Sequence, residues 1–382
     1  MKDYIINHIM YKLRCIFYRD RWYDFYAYLY SNQIEKQFLI KRIRQRLLSN
    51  NKLIHTKPIR VFIAVKNINW EKAGLVDSWS DIPYVEAMHY DWGNKYDQYD
   101  EKWHITGKYD FNEELLERVK ELHLKNKINI FFSYLSGRWI FPQTIQKMSE
   151  LGIITINFSF DDSQAFWGGK ERTGWSGNAE IASSFDICLT AQSQKDVSKY
   201  LSVNSNPLFI IPGGNEDVFA SKKPDVIRNI PLSFIGQKSK KRETIINFLQ
   251  KNGIPVFTRG LGWDEGPVLQ EEMLNIYKAS LLTLGFGYIG NTNIIKLKGR
   301  DFEIPLTGTA YLTTYNPELS KYFIQDTEIL FYKNKVELLK KIRFYLQNPE
   351  KAMSIGLSGR ERALKEHTWT MRWRELLNVC SR

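Results

Sequence analysis

Short apolar runs alternate with longer amphipathic stretches along most of this 382-residue chain. Runs rich in β-branched side chains predict strands, whereas apolar residues that recur every three or four positions predict helices. In the first half, we expect strands at 59–65, 128–132, 153–158, 185–190 and 208–211 and helices at 83–89, 112–124, 142–151 and 193–201.

The alternation is interrupted once, at Pro212-Gly213-Gly214-Asn215. Residues 212–230 are rich in Pro, Gly, Lys and Asp, which predicts a linker between two domains. Beyond it, we expect strands at 231–236, 254–258, 280–285, 310–312 and 329–332 and helices at 243–252, 268–279, 336–346 and 349–367.

Strands that alternate with helices form parallel sheets with helices on both faces, so the pattern predicts an α/β protein. We expect two Rossmann-like domains that face a cleft, residues 51–212 and 213–365. Residues 1–50 are predicted to form a helical extension. Residues 366–382 are predicted to form a C-terminal helix that packs back on the first domain. Ligands of such sheets bind beyond the carboxyl ends of the strands.

Charge is concentrated at the N-terminus. The formal net charge is +12, and residues 1–50 hold ten basic and four acidic side chains, interleaved with aromatic residues. Basic and aromatic residues together suit an anionic membrane surface. They also suit nucleic acid, which is the less favoured partner because only charge points to it. The alternative is a helical extension that packs its aromatic residues on the main body and solvates its charges.

Several classes of protein are disfavoured by composition. There is no run of 18 apolar residues and no apolar segment with the features of a secretory signal. The three cysteines stand far apart and the six histidines show no paired spacing, so no metal site is expected. We therefore expect a cytoplasmic protein with reduced thiols, able to sit at the inner face of the membrane through its N-terminal extension.

The stretch 298–312 carries the most specific chemistry. Lys298 and Arg300 precede Glu303, Gly308 follows five residues later, and the apolar run 310–312 predicts a strand. A carboxylate can accept hydrogen bonds from two neighbouring hydroxyls, such as those of a ribose. Nearby cations and a helix N-terminus favour a diphosphate. The alternative is a surface helix on which Glu303 pairs with Arg300.

Two further groups are candidates for ligand contact. Gly236 ends a predicted strand and is followed by a basic segment that includes Arg242, which suits a phosphate loop, although the spacing is neither GxxxxGK[ST] nor GxGxxG. Asp161 and Asp162 follow another predicted strand and could orient or deprotonate an acceptor hydroxyl. The alternatives are a plain turn for the glycine and helix capping for the aspartates.

The second half also carries a series of spaced motifs. In order, these are Phe234-Ile235-Gly236 with Arg242, Gly260-Leu261-Gly262-Trp263, residues 273–280, Arg300-Asp301-Phe302-Glu303-Ile304-Pro305 with Gly308, and Glu366-His367-Thr368-Trp369 with Arg372. This series resembles the second half of CgeB-type proteins, which are glycosyltransferase-like proteins of the group 1 (family 4-like) kind with the GT-B fold. The resemblance covers residues 230–375.

The resemblance implies roles for particular residues. Residues 213–365 would form the nucleotide-sugar domain and residues 51–212 the acceptor domain. Catalytic roles are expected for Asp161, Asp162 and Arg300. Nucleotide-sugar contacts are expected for Gly236, Arg242, Gly260, Glu303, Gly308, Thr313, Thr314 and Asn316. The family pattern has a second glutamate eight residues before the ribose glutamate, and this chain has Ile295 there.

The function implied is transfer of a sugar from a nucleotide-diphosphate donor, such as a UDP- or GDP-sugar, to a glycan, glycolipid or glycoprotein acceptor. The resemblance implies a retaining reaction, and fixed cations beside the diphosphate make a metal unnecessary, so no cofactor beyond the donor is expected. Fixed cations stabilise a leaving diphosphate more in the transition state than in the ground state. Because Ile295 departs from the pattern, a catalytically silent protein that binds a glycan or a protein partner remains the alternative.

Overall fold

The computed structural model describes residues 29–30, 33–68, 71–160, 162–220, 227–289 and 292–382. The chain divides into two compact units. Unit 1 comprises Met1–Ile211 and Trp373–Arg382, and unit 2 comprises Pro212–Arg372. Each unit contains one parallel sheet with its own hydrophobic core, which confirms the predicted α/β class.

Unit 1 is built on a six-stranded parallel sheet with the strand order β2-β1-β3-β4-β5-β6. Its main elements are α1 (Lys36–Ser49), β1 (Ile59–Ala64), β2 (Val85–Tyr90), α2 (Lys108–Lys125), β3 (Ile130–Ser133), α3 (Pro142–Glu150), β4 (Ile154–Ser159), β5 (Ile187–Thr190), α4 (Val197–Ser202) and β6 (Pro207–Phe209). The central strands β3, β4 and β5 are buried at every position, which explains why they are continuous apolar runs in the sequence.

The helix predicted at 83–89 is wrong. Residues Val85–Tyr90 form the edge strand β2, which pairs in parallel with β1 in a register that places Val85 opposite Ile59. Glu86 and His89 are exposed, so the segment is half-polar and its six residues are too few to show a period. Pairing with β1 decides its conformation.

The start of α2 also differs from the prediction, because the helix begins at Lys108 rather than at Asn112. Asn112 is buried inside the helix and is not its cap. Its Nδ2 donates to the Trp139 carbonyl at 2.8 Å, and its Oδ1 accepts from the Phe141 N–H at 2.9 Å. A residue type that often caps helices therefore joins α2 to the segment that follows β3.

Unit 2 is built on a five-stranded parallel sheet with the strand order β8-β7-β9-β10-β11. Its main elements are β7 (Ile230–Ile235), α5 (Lys240–Lys251), β8 (Phe257–Arg259), α6 (Gln270–Ala279), β9 (Ser280–Gly285), α7 (Arg300–Leu306), β10 (Ala310–Thr314), β11 (Leu330–Tyr332), α8 (Lys335–Gln347), α9 (Pro349–Glu366) and α10 (Trp369–Cys380). The Ser239 side chain caps α5 by accepting from the Arg242 N–H.

Helix α10 begins in unit 2, but its residues from Trp373 onward belong to unit 1. The Trp373 ring stacks on Trp79 with 4.7 Å between ring centroids, and its indole N–H donates to Ser78 Oγ at 2.7 Å. Both tryptophans are buried. The last ten residues of the chain therefore complete the core of unit 1.

Helix α1 is the described part of the basic N-terminal extension. Its apolar face, formed by Leu39, Ile43 and Leu47, is buried. Arg42 donates to Asn206 Oδ1 at 3.0 Å, and Arg46 donates to Asp186 Oδ1 at 3.2 Å. These basic side chains are thus engaged within unit 1. The predictions for residues 1–28 lie outside the described residues.

In the part of the chain that the structure describes, no helix combines the length and the apolar character needed to cross a bilayer.

Candidate nucleotide-sugar site

The strand order of unit 2 reverses between β7 and β9, which are neighbours in the sheet although β8 lies between them in sequence. In open parallel sheets, ligands bind at such a reversal, beyond the carboxyl ends of the strands. Here these ends are Ile235 and Gly285. The predicted residues Gly236, Arg242 and Arg300 lie around them, as their contacts show.

Two arginines lie near one aromatic ring at this point. The Arg242 and Arg300 guanidinium carbons lie 5.6 and 5.8 Å from the centroid of the Phe234 ring. Arg242 donates to the Gln237 carbonyl at 2.7 Å, and Arg300 donates to the Ile235 carbonyl at 3.0 Å. These bonds hold both cations beside the end of β7.

Within the described ranges, neither guanidinium forms an ion pair with a carboxylate. Burial, and then the charge of Arg300, lowers the pKa of Arg242 to about 10. Two like charges in a half-buried place repel each other unless an anion lies between them. The pair therefore forms a candidate anion site, and planar guanidinium groups match the geometry of phosphate oxygens.

Glu303 lies on α7, three residues after Arg300, and is 8% exposed. Among the described residues, no donor bonds to its carboxylate. Burial raises the pKa of Glu303 to about 7, Arg300 partly opposes this rise, and Asp301 adds to it. A buried carboxylate without donors costs folding free energy, and a ligand that presents two hydroxyls would satisfy it.

The α7 backbone is fixed by Asp301, which sequence reasoning did not single out. Asp301 Oδ1 accepts from the Tyr311 hydroxyl at 2.7 Å, and Oδ2 accepts from the Lys298 N–H at 2.8 Å. Burial raises the pKa of Asp301 to about 6, and its hydrogen bonds oppose the rise. Asp301 thus joins the start of α7 to β10, and this sets the positions of Arg300 and Glu303.

The predicted glycines Gly236 and Gly260 lie against each other. Their φ angles are +154° and +128°, and a Cβ on Gly260 would overlap the backbone of Gly236. The Gly236 N–H donates to the Arg259 carbonyl at 2.9 Å, and the Trp263 indole N–H donates to the Gly236 carbonyl at 2.9 Å. Gly260 is therefore required by close backbone packing between the loops after β7 and β8, whereas a Cβ on Gly236 would come within 2.9 Å of the Arg300 guanidinium.

The polar residues at the end of β10 are partly engaged in internal contacts. Thr314 Oγ1 donates to the Tyr332 hydroxyl at 3.2 Å, and Thr313 is buried beside Gly285. Asn316 Oδ1 accepts from the Glu318 N–H at 2.9 Å. The Asn316 Nδ2 atom is buried and has no partner in the described part of the chain.

Gly308 and Ile295 occupy two positions of the family pattern described above. Gly308 follows the end of α7 with a φ of +74°, and its carbonyl accepts from Arg228 at 2.6 Å, so in this structure it stops the helix. Ile295 packs against Gly287, where a Cβ would come within 2.8 Å of Ile295 Cγ2. An apolar contact thus occupies the position where the family pattern has its second glutamate.

The predicted linker also reaches this site. A Cβ on Gly214 would come within 3.3 Å of the Glu303 Cα atom and would overlap the Leu306 side chain. The Gly214 N–H donates to the His367 carbonyl at 3.0 Å. Gly214 is therefore part of the packing around α7, whereas the sequence pattern had marked this position only as the start of a linker.

Asp162 lies in unit 1 and is 1% exposed. Its carboxylate accepts from Thr190 Oγ1 at 2.7 Å, Tyr200 Oη at 2.8 Å, Ser159 Oγ at 2.9 Å and Asn178 Nδ2 at 3.1 Å. Burial raises the pKa of Asp162, although the hydrogen bonds oppose the rise. With its acceptor positions filled, this aspartate joins neighbouring loops. Asp161 lies outside the described residues.

Among the described ranges, no group of three or more His, Cys, Asp or Glu side chains is arranged to hold a metal ion.

Comparison with known proteins gives one family match. A family model described as "Glycosyl transferase-like" matches residues 240–378, which include α5, α7 and most of the arginine and carboxylate positions above. No curated protein matches the chain.

Solved structures share the fold at low sequence identity. A sucrose-phosphate synthase from Thermosynechococcus elongatus is 11% identical with a TM-score of 0.53, over 84% of this chain and 98% of the other. HepE of Anabaena, solved with UDP and glucose, is 10% identical with a TM-score of 0.54, over 84% and 99%. A glycosyltransferase from Rickettsia africae is 11% identical with a TM-score of 0.52, over 84% and 97%.

At these identities the structural likeness establishes the fold, which is the one predicted. The family match says that residues 240–378 resemble a glycosyl transferase-like domain. Most of these residues belong to unit 2, where the candidate site lies.

Proposed function

We propose that the protein transfers a sugar from a nucleoside diphosphate donor, bound in unit 2, to a carbohydrate-containing acceptor. The main supporting observation is that two cations and one buried carboxylate in unit 2 lack partners. Arg242 and Arg300 lack a carboxylate partner, and the buried Glu303 carboxylate lacks a donor, in the described part of the chain. A nucleoside diphosphate supplies an anion to the first and a ribose diol to the second.

The arginines also supply the chemistry. Cleavage of a glycosyl–diphosphate bond builds negative charge on the leaving phosphates and positive charge on the sugar. Cations held in place by main-chain bonds, as Arg242 and Arg300 are, stabilise that charge without reorganisation. Helix α7 has only seven residues, so the guanidinium groups rather than the helix dipole contribute most of the positive potential at the leaving phosphates. We propose a retaining reaction in which these cations take the place of a metal.

The acceptor is proposed to be a glycan, glycolipid or glycoprotein. Proximity to an anionic membrane is proposed only for the N-terminal extension ahead of α1, because Arg42 and Arg46 of α1 already bond within unit 1. UDP is the first donor nucleotide to test, because HepE of Anabaena was solved with UDP and glucose and shares the fold.

Isothermal calorimetry with UDP, GDP, ADP and dTDP tests the donor site. We expect at least one of them to bind the wild-type protein and Glu303→Ala to weaken that binding at least thirtyfold, because the ribose loses its acceptor. Glu271→Gln, which changes an exposed glutamate on α6, is the matched control and should bind as the wild type does.

Unchanged affinity in Glu303→Ala would remove Glu303 from the site. If the wild-type protein binds none of the four nucleotides, the catalytically silent alternative is favoured. The packing of Ile295 against Gly287 supports this alternative, because this chain then has no counterpart of the family's second glutamate.

A further inference from the structure

Helix α7, which carries Arg300 and Glu303, is a weak helix by its own sequence. It has seven residues, and isolated helices of this length are unstable because nucleation is costly. Pro305 lies inside it and has no N–H to donate to the carbonyl four residues earlier. Gly308 follows its end with a φ of +74°. The position of the Glu303 carboxylate therefore depends on what holds the two ends of α7.

Two arginines hold the C-terminal end of α7. The Arg228 Nη2 atom donates to the Gly308 carbonyl at 2.6 Å, and Arg360 donates to the Leu306 carbonyl at 3.2 Å. Carbonyls at a helix C-terminus lack partners within the helix and carry partial negative charge, which a guanidinium satisfies. Because Asp301 holds the other end, α7 is anchored at both ends.

Arg228 also reaches the junction of α6 and β9. Its Nη1 atom lies 2.7 Å from the Ser280 carbonyl oxygen and 2.8 Å from Thr309 Oγ1. The Thr309 hydroxyl in turn donates to the Tyr277 carbonyl at 2.5 Å. One guanidinium therefore joins the start of β9 to the start of β10. This contact gives the motif at residues 273–280 a connection to α7.

The bonds of Arg228 are made to neutral oxygen atoms, and within the described ranges no carboxylate pairs with it. The side chain is half-buried, and burial lowers its pKa. A guanidinium that bonds several oxygens at once fixes their relative positions, because its five donors form a rigid planar fork. A lysine ammonium carries the same charge but cannot reproduce this fork.

The Gly308 carbonyl has little room to move. Helix α9 packs beside it, and a Cβ on Gly356 would come within 2.2 Å of the Gly308 oxygen. The same oxygen accepts from Arg228, which lies in the predicted linker. A close neighbour on α9 and a donor on the linker thus restrict the turn after α7 to one arrangement.

We infer that Arg228 is a positioning residue of the donor site, an inference that rests on the transfer reaction proposed above. It fixes the turn five residues after Glu303 and so keeps that carboxylate where two hydroxyls can reach it. A helix rises about 1.5 Å per residue, so a slip of one residue at Gly308 would displace the carboxylate by more than a hydrogen bond tolerates.

Arg228 acts through Glu303 and not by contact with a ligand. Its bonds lie at the amino ends of the strands, because β9 begins at Ser280 and β10 begins at Ala310. Ligands of parallel sheets bind beyond the opposite, carboxyl ends. A change at Arg228 therefore reaches the donor site only through α7.

A double-mutant cycle of nucleotide binding tests the inference. The probe is whichever of UDP, GDP, ADP and dTDP the wild-type protein binds most tightly. Arg228→Lys keeps the charge and removes the fork, and we expect it to weaken binding by about fivefold or more in calorimetry well below the Tm. In the Glu303→Ala background the same change should alter affinity by less than about twofold, because the carboxylate that Arg228 positions is gone.

Two control variants separate positioning from general stability. Arg343→Met removes another arginine of unit 2 that donates to a main-chain carbonyl, at Asn252, and should bind as the wild type does. Leu338→Ala opens a cavity in the core of unit 2 under α8. It should lower the Tm at least as much as Arg228→Lys and leave nucleotide affinity unchanged. Equal loss of affinity in Leu338→Ala and Arg228→Lys would overturn the inference.

A second cycle needs no nucleotide. At pH 8 the buried Glu303 carboxylate is ionised at a cost in stability, so Glu303→Gln should raise the Tm. In Arg228→Lys, α7 is free to shift and expose this carboxylate to water. Glu303→Gln should then raise the Tm by less than half as much. An equal effect in both backgrounds, including no effect in either, would contradict the positioning role.

The two proposals fail separately. If no nucleotide binds but the second cycle shows the expected coupling, Arg228 is retained as the residue that positions Glu303, and the transfer reaction is refuted. If a nucleotide binds and Glu303→Ala weakens it as expected, but either cycle is additive, only the role of Arg228 is refuted.

Discussion

Glu303 shows at the residue scale how a ligand site costs stability. Its carboxylate is buried on α7, and no donor in the described part of the chain satisfies it. A folded protein without ligand must therefore either protonate this side chain or accept an ionised, poorly solvated group. Residues kept for binding often lower stability in this way, and removing the charge is then stabilising.

The first prediction concerns the pH dependence of stability. Burial raises the pKa of Glu303 to about 7, so the folded state holds a proton that the unfolded chain releases nearer pH 4.5. The stability that this proton confers is lost as the pH rises from about 4.5 to about 7. Glu303→Gln should therefore be more stable than the wild type at pH 8, by about 2 kcal/mol, and much closer to it at pH 5.

Thermal unfolding of both proteins at pH 5 and pH 8 measures this difference, with Glu271→Gln as the exposed control. An equal change in Tm at the two pH values would show that the Glu303 carboxylate is not destabilised by burial.

Asp301 and Asp162 illustrate the opposite case, in which a buried carboxylate is fully bonded. Asp301 joins the start of α7 to Tyr311, and Asp162 joins the end of β4 at Ser159 to the loop that carries Asn178. The sequence marks both as acidic residues near predicted strands. It cannot separate them from Glu303, because the donors that satisfy them come from residues as distant as Tyr200.

At the element scale, the packing of β9 against β10 positions α7. Gly285 ends β9, and the Tyr311 side chain of β10 fills the space that a Cβ would need. The Tyr311 hydroxyl in turn donates to Asp301 at 2.7 Å. A glycine on one strand thus permits a tyrosine on the next to hold the helix that carries Glu303.

The second prediction follows from this contact. In Gly285→Ala, the added methyl overlaps the Tyr311 hydroxyl and comes within 2.5 Å of Thr313 Oγ1, so Tyr311 must leave Asp301. We expect a loss of about 1–3 kcal/mol in the free energy of unfolding and at least tenfold weaker nucleotide binding. Urea unfolding and calorimetry measure the two effects.

Gly169→Ala is the matched control, because the nearest atom to its Cβ is 3.9 Å away. Adding Tyr311→Phe to Gly285→Ala removes the overlapping oxygen, so the double variant should be less destabilised than the sum of the two single changes. Strict additivity would contradict the proposed contact.

At the scale of the whole molecule, the two units are not simple consecutive segments. The chain leaves unit 1 after Ile211 and returns to it at Trp373, within α10. Trp373 is fully buried against Trp79 and also lies 5.1 Å from the Phe132 ring of β3. The stability of unit 1 therefore depends on the last residues of the sequence.

The third prediction tests this dependence. Trp373→Ala should cost about 3–5 kcal/mol, because it opens a cavity in a packed aromatic cluster. Hydrogen exchange should accelerate in β1 and β3 of unit 1, while the protection of β7, β9 and β10 in unit 2 stays as in the wild type. Arg374→Ala, at an exposed position of the same helix, is the control.

Uniform loss of protection in both units would show instead that they unfold as one cooperative body.

The local pattern of apolar and polar residues determined much of the secondary structure. Continuous apolar runs such as 153–158 predicted buried parallel strands, because a strand covered on both faces has no polar side. The prediction of a site at Arg300, Glu303 and Gly308 rests on a similar kind of local spacing. Ligand chemistry and helix termination both depend on residues a few positions apart, and those spacings are visible in one chain.

Only the tertiary structure decided the rest. Residues 85–90 are a strand because β1 lies beside them, and Asp162 is a structural anchor because its donors surround it. A pocket in unit 1 combines the ends of β1, β3 and β4 with a glycine-rich loop. Such features depend on contacts between residues far apart in sequence. Folding brings these residues together through long-range packing, which the hydrophobic periodicity of a single segment does not show.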